Sequence, residues 1–406
     1  MRHAWWNGTA LVGAGLVAGA WSGGAAAEEP IKLSVGGFFR EAYMVVLDDD
    51  AEFEPGKDHA EDGFFNDAEI HFSGRTVLDN GLEVGARVEL EGESENSGDF
   101  IGDQIDEAWV YFAGGFGEIR VGSDDDALAG SCLLPPGGTA NFSAFSPNQW
   151  GANAFSPVTN SACTGVDDKA DAQKILYISP VFGGFQLTLS YTPNPSRETH
   201  TDGVGPHIGM PPKFLGDGQS NYNAAAYLTY SYEGRGWGLN WGGGASVEGE
   251  IDNVEDAFFD THFNNRDFYQ TALTVDVGRF SIGGVFEYYN DIEGSQSSFA
   301  GFEFSNSHDA WVAGGGVAYL YNAWTFGAQY SYREDIFRSK SFGDEDREDH
   351  VQQRAVVTAA YDIGPGITLD GEVGYTWRDQ DPEDTSLFTD DDYQALEFGI
   401  GTAIRF

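Results

Sequence analysis

Bases are scarce in this chain: 21 lysines and arginines stand against 65 acids, a formal net charge of −44. So acidic a sequence does not bind nucleic acid or anionic headgroups through charge; it draws cations. Long apolar runs are missing as well. Past the amino-terminal segment no stretch has eighteen consecutive apolar residues, which excludes a membrane-spanning helix. It does not exclude a membrane barrel, whose strands need only every second residue apolar. Methionine is down to three and cysteine to two, whereas glycine reaches 55 and aromatics 14%. With few helical heptads, that balance favours many short strands.

The amino terminus reads as an export signal. Met1-Arg2-His3 is a short basic start, Ala10 to Ala20 is an apolar run too short to cross a bilayer, and Ala25-Ala26-Ala27 supplies small residues for cleavage. Residues 1–27 are therefore expected to be removed, leaving 28–406 as the mature chain in an oxidising compartment. There, Cys132 and Cys163, both in one irregular stretch, are expected to pair and brace it; two free thiols or a metal pair are the alternatives.

At the other end, Leu396, Phe398, Ile400, Thr402, Ile404 and Phe406 alternate with Glu397, Gly399, Gly401, Ala403 and Arg405. A period of two marks a strand with one greasy and one wet face, and a terminal Phe suits a membrane interface. The segment from Leu82 to Leu90 repeats the pattern, and Asp79-Asn80-Gly81 before it is a tight hairpin turn. Further strand signals include Trp311 to Tyr321, Trp324 to Tyr332 and Arg354 to Asp362. In all, sixteen such segments occur, joined alternately by short turns and long loops. That alternation, with aromatics such as Tyr232, Trp237, Tyr321, Trp324, Tyr375 and Trp377 at strand ends, predicts an all-β fold: a sixteen-stranded antiparallel transmembrane barrel.

One stretch, residues 123–171, is irregular for 49 residues, and a loop that long inside a compact body has a job or is disordered. On the neighbouring strands Arg75, Arg87 and Arg120 share their face with Glu69, Glu83, Glu89 and Glu118, while Ile, Val and Leu occupy the opposite face. Charge facing lipid costs on the order of 2–4 kcal/mol for Arg or Lys at mid-membrane, so the polar face is the lumen. Cross-strand ion pairs that merely hold the wall together are the plainer reading of the same residues. His71 belongs to this wall, with no metal partner at ligand spacing.

Four stretches resemble the general diffusion porins of α-proteobacteria: Gly114 to Leu128, Ile178 to Pro193, Trp311 to Tyr332, and the terminal Phe406. The likeness covers essentially the whole mature chain. It implies a homotrimer in the outer membrane among lipid and lipopolysaccharide, passing ions and small hydrophilic solutes. It further implies that the third extracellular loop folds inward and faces a basic wall. Arg40, Arg75, Arg87 and Arg120 match that wall, and Gly122 to Leu128, with Asp124, Asp125 and Asp126, match the start of the loop. Acids opposite arginines would give the neck a transverse field. Two cysteines in the loop, and unusual acidity outside, depart from the family pattern.

The acidic segments Asp48 to Glu54, Asp344 to Asp349 and Asp379 to Asp392 are expected in outer loops, where a negative mouth favours cations within about a Debye length, ~8–10 Å. Such loops can hold Ca²⁺ loosely, but none has the order of a dedicated calcium loop; no cofactor is expected. An enzyme is disfavoured because no G-x-S-x-G or comparable nucleophile motif occurs. A barrel with a blocked lumen is a further alternative. A solute-specific channel is another, with Phe142, Phe145 and Trp150 either as a binding track or as loop anchors.

Overall fold

The structure, a computed structural model, describes residues 30–48, 62–92, 105–145, 163, 172–193, 222–249, 254–255, 260–263, 265–290, 295–299, 302–341, 344–380 and 393–406. The expected signal segment, Trp150 and most of the acidic stretches 48–54 and 379–392 lie outside these residues.

Nineteen strands run through the described residues. They are β1 Lys32–Asp48, β2 Asp62–Val77, β3 Glu83–Glu91, β4 Ile105–Gly114, β5 Gly117–Ser123, β6 Gln173–Ile178, β7 Phe185–Thr192, β8 Asn223–Glu233 and β9 Trp237–Glu248. Then follow β10 Val254–Glu255, β11 Asp260–Phe263, β12 Arg266–Val277, β13 Phe280–Asn290, β14 Ser295–Phe299 and β15 Phe302–Tyr321. The last four are β16 Trp324–Ser341, β17 Asp344–Gly364, β18 Ile367–Gln380 and β19 Tyr393–Arg405. Three of them, β10, β11 and β14, are short pieces outside the main ring, paired β10–β11, β11–β14 and β14–β15. The other sixteen pair antiparallel with their neighbours around a closed ring. β9 meets β12, β13 meets β15, and β19 returns to β1 from Phe38↔Arg405 to Asp48↔Ala395. Closure leaves the ring no open edge, the condition for a sheet in hydrocarbon.

The alternation of the sequence becomes an inside-out molecule. Ile282, Val357 and Ile400 are 58%, 62% and 66% exposed, whereas Glu287, Asp335 and Glu397 are fully buried. A water-soluble sheet would reverse that order; a barrel with lipid outside and a polar interior produces it. Val88 pairs with Phe72 and Leu90 with Ile70, on the outward face, while Arg87 pairs with Ser73 on the inward one.

Short turns close one end. Leu78 and Leu82 bond across Asp79-Asn80-Gly81, where Gly81 takes φ +81° and the Asn80 side chain accepts the Leu82 N–H. Asn322 does the same work at φ +54° between β15 and β16. Aromatic pairs mark strand ends, among them Tyr232 with Trp237 at 4.8 Å and Trp324 with Tyr361 at 4.8 Å.

Three strands exceed expectation. β15, β16 and β17 run 20, 18 and 21 residues, and the acidic segment 344–349 is not loop. It is the first third of β17, paired with β16 from Ser341↔Asp344 to Ile336↔Asp349. Low strand propensity of Asp and Glu hid it; a continuous backbone ladder overrides that preference.

Candidate functional site

The loop that follows β5 turns into the lumen and lies along its wall. Ala127 N–H donates to Ser190 Oγ of β7 (2.9 Å), Leu133 N–H to Tyr227 OH of β8 (3.2 Å), and Gln270 Nε2 of β12 to Leu133 O (2.9 Å). Further on, Gln329 of β16 holds Pro135, Thr358 of β17 donates to Gly137 O (2.6 Å), and Asp370 of β18 accepts from Asn141. Arg40 of β1 donates to Ala140 O (3.1 Å). The described loop thus covers an arc from β7 round to β1, and the arc β2–β6 faces it across the remaining lumen.

The arginines expected of the basic wall lie on this open arc and on β1 at its border. Arg40 pairs with Asp67 and stacks on Phe38 at 4.9 Å. Arg87 pairs with Glu89, and its Nη2 donates to His71 Nδ1 (2.9 Å). Because arginine only donates, Nδ1 must be the ring acceptor, so the proton sits on Nε2 and points at Glu69 (2.7 Å) and Glu89 (3.2 Å). Glu69, His71 and Glu89 offer ligand atoms within 4.8 Å of one another, and in this tautomer the Nε2 proton is shared between the two carboxylates.

Arg120 pairs with Glu118 (2.6 Å) and Asp124 (3.2 Å) and lies 4.2 Å over the Trp109 ring. Arg75 stands apart. Four residues from His71 along β2, about 13 Å at strand rise, it is 63% exposed and reaches Glu83 at 3.9 Å.

The three loop aspartates are not grouped. Asp124 sits beside Arg120, and burial pushes its carboxyl above the ordinary range although the guanidinium pulls the other way. Asp125 donates its N–H to Glu107 Oε1 (3.1 Å). Asp126 caps the next turn, accepting from Leu128 and Ala129 N–H (2.7 and 2.8 Å), and its other oxygen faces Ser246 of β9 (3.4 Å). Acid and base therefore stand side by side at Arg120 rather than across the neck.

Sequence reasoning missed two features. A bulge between Val88 and Leu90 in the β3–β4 register re-aims β4, and Asp106 then meets Glu69 and Glu91, carboxylate oxygens within 4.8 Å. On the far wall, Arg354 of β17 binds Glu372 of β18 and Glu397 of β19, each at 2.8 Å; the alternation Gln352, Arg354, Val356, Thr358 was the available signal. Cys132 and Cys163 form a disulfide with Cα atoms 5.7 Å apart, and Cys163 N–H donates to Glu287 of β13 (3.0 Å). Phe142 and Phe145 are buried against the wall, Phe142 on Ala42 and Met44, Phe145 among Ala272, Val285 and Val356. Both are loop anchors and no binding track.

A closed ring of sixteen strands, greasy outside and charged inside, with a loop laid along its lumen, defines an outer-membrane channel protein. The sequence profile of the Gram-negative porins matches residues 10–381, and the chain belongs to that family. No curated protein matches it significantly. Among solved structures, a loop-deletion form of OmpT from Vibrio cholerae superposes with a TM-score of 0.55 at 13% identity, covering 93% of this chain and all of that one. OmpT in its trimer form gives 0.54 at 13% identity, with the same coverage. The anion-selective porin of Comamonas acidovorans gives 0.51 at 14%, again over 93% of this chain and all of that one. At these identities the likeness is one of fold.

Proposed function

We propose that this channel is water-filled and prefers cations, passing ions and small hydrophilic solutes by passive diffusion. The observation that supports the sign is the charge of the open arc. Strands β2–β6 carry four bases (Arg75, Arg87, Arg120, Lys174) against eight inward acids (Asp67, Glu69, Glu83, Glu89, Glu91, Asp106, Glu107, Glu118). Every arginine there has a carboxylate partner, so the surplus is negative. A barrel of similar fold is described as anion-selective; fold does not choose the sign, and the lining does.

The test is a bilayer recording of the purified protein in a KCl gradient. A reversal potential on the cation side is expected, and one on the anion side overturns the reading. Liposome swelling with graded sugars separates general diffusion from a solute-specific channel, because only the latter saturates with one solute. A trimer is part of the same proposal, in line with the trimer form of OmpT. Glu41 lies on the outward face of β1 between Phe39 and Tyr43, opposite Thr402, where contact with a second copy removes it from lipid. Three equal closing steps in the recording are expected, and Glu41→Arg should weaken detergent-resistant trimers; intact trimers in that variant count against this contact.

A further inference from the structure

Three wall glycines lie where the bend of the inner loop runs against the sheet. At Gly316 of β15 a Cβ would overlap the Pro136 carbonyl oxygen, and at Gly327 of β16 the Gly137 carbonyl oxygen. At Gly283 of β13 it would stand 2.8 Å from the Pro136 ring at Cδ, and 2.6 Å from both Leu273 O and Thr274 Oγ1 of the adjoining strand. The three share one patch of wall, since Gly283 pairs with Gly316 and Gly316 with Gln329, two residues from Gly327. Real Cβ atoms do not approach so near, so the loop backbone rests closer to the wall than any side chain permits. Not every inward glycine behaves this way: at Gly374 of β18 the nearest atom is 3.5 Å off, ordinary contact.

Gln329 rises from the same patch and clamps both limbs of the bend above it. Its Nε2 donates to Pro135 O (2.9 Å) and Pro136 O (3.4 Å), and its Oε1 accepts from Ser143 Oγ and Ala144 N–H, both 2.9 Å. One buried amide thus satisfies both limbs, so its loss leaves several buried backbone groups without a partner.

We infer that Gly283, Gly316, Gly327 and Gln329 are positioning residues for the pore. They form a seat that holds residues 135–144 flat on the wall, and the depth of that seat sets the free cross-section opposite the β2–β6 arc. This rests on the channel reading.

The experiment compares Gly316→Ala, Gly327→Ala and Gln329→Leu with Gly374→Ala as control. Each is read by single-channel conductance and by the size at which neutral polymers stop entering the pore. Strand content by circular dichroism and heat-modifiable gel migration identify folded barrels. The alanines at 316 and 327 lift the loop toward the axis, so lower conductance and a smaller polymer limit are expected. Gln329→Leu adds no bulk at the contact and unlatches the bend, so it is expected to give a larger limit with added current noise; it remains informative if an alanine variant does not fold. Folded variants that conduct and exclude polymers like Gly374→Ala overturn the seat. A wild-type protein that conducts nothing sinks the channel reading instead.

Discussion

Arg354 and Glu397 meet with neither side chain more than 1% exposed, Nη2 to Oε2 at 2.8 Å. The same nitrogen binds Glu372 at 2.8 Å, and Thr376 Oγ1 donates to the other Glu397 oxygen at 2.7 Å. Two carboxylates thus depend on a single guanidinium. Taking one partner from a buried ion pair costs about 3–5 kcal/mol because it strands the other charge. Arg354→Met is expected to lower stability by about that much, and by more than Glu397→Gln, which keeps the shape and removes a charge. Urea unfolding of detergent-folded protein measures both. A midpoint for Arg354→Met equal to wild type means the cluster holds nothing together.

The Cys132–Cys163 bond closes a separation of 31 residues, for which the chain-entropy relation gives about 3–4 kcal/mol. The loop is also bonded to seven or more wall strands, and those bonds survive reduction. Replacing both cysteines with serine is therefore expected to lower the urea midpoint while leaving conductance close to wild type. A collapse of conductance in the double serine variant would show that the disulfide, and not the wall contacts, places the loop.

How much of this was written in the sequence depends on the element. Leu82 to Leu90 and Leu396 to Phe406 displayed their two faces openly, because lipid outside and water inside impose opposite demands on alternate residues. The open arc was legible for the same reason: His71, Arg87 and Glu89 share a parity. Glycine carries no such label. Gly283, Gly316 and Gly327 look like Gly284 and Gly315 in sequence, and only the loop passing overhead distinguishes them. The far wall was overlooked for another reason: the resemblance directed attention to Arg40, Arg75, Arg87 and Arg120, while Arg354 with two glutamates lay in plain alternation. Asp124, Asp125 and Asp126 are adjacent in sequence, yet turn formation at Asp126 gives them three different partners: the Asp124 carboxylate takes Arg120, the Asp125 N–H takes Glu107, and the Asp126 carboxylate takes the Leu128 N–H.

If the open arc sets selectivity, removing acids from it must weaken the preference. A unit charge about 4 Å from a passing ion contributes about 1 kcal/mol in a water-like medium, roughly fivefold in occupancy. Glu69→Gln with Glu89→Gln is expected to cut the cation-to-anion permeability ratio at least severalfold at low salt. The effect should shrink toward 1 M, where the Debye length falls to about 3 Å. Reversal potentials at both salts check it. An unchanged ratio at low salt would move the selectivity to residues outside this arc.

Selectivity should also depend on pH through Asp124. Burial raises its carboxyl above the ordinary carboxylate range, with Arg120 and Lys174 opposing. A raised value means that the proton binds at a higher pH than on an exposed aspartate, near 3.9. As pH falls, Asp124 therefore loses its charge before an exposed aspartate does, and the Arg120 guanidinium 3.2 Å away keeps its own. The neck gains one net positive charge, and cation preference drops before the exposed aspartates titrate. Asp124→Asn carries that change at every pH. Its selectivity at neutral pH is expected to lie below wild type and to stay flat through the early step, joining the wild-type curve on the acid side. Glu118 still pairs with Arg120 in the variant, so the wall strand itself is preserved. Wild-type and Asp124→Asn profiles that coincide across the whole range would place the titrating group elsewhere in the lumen.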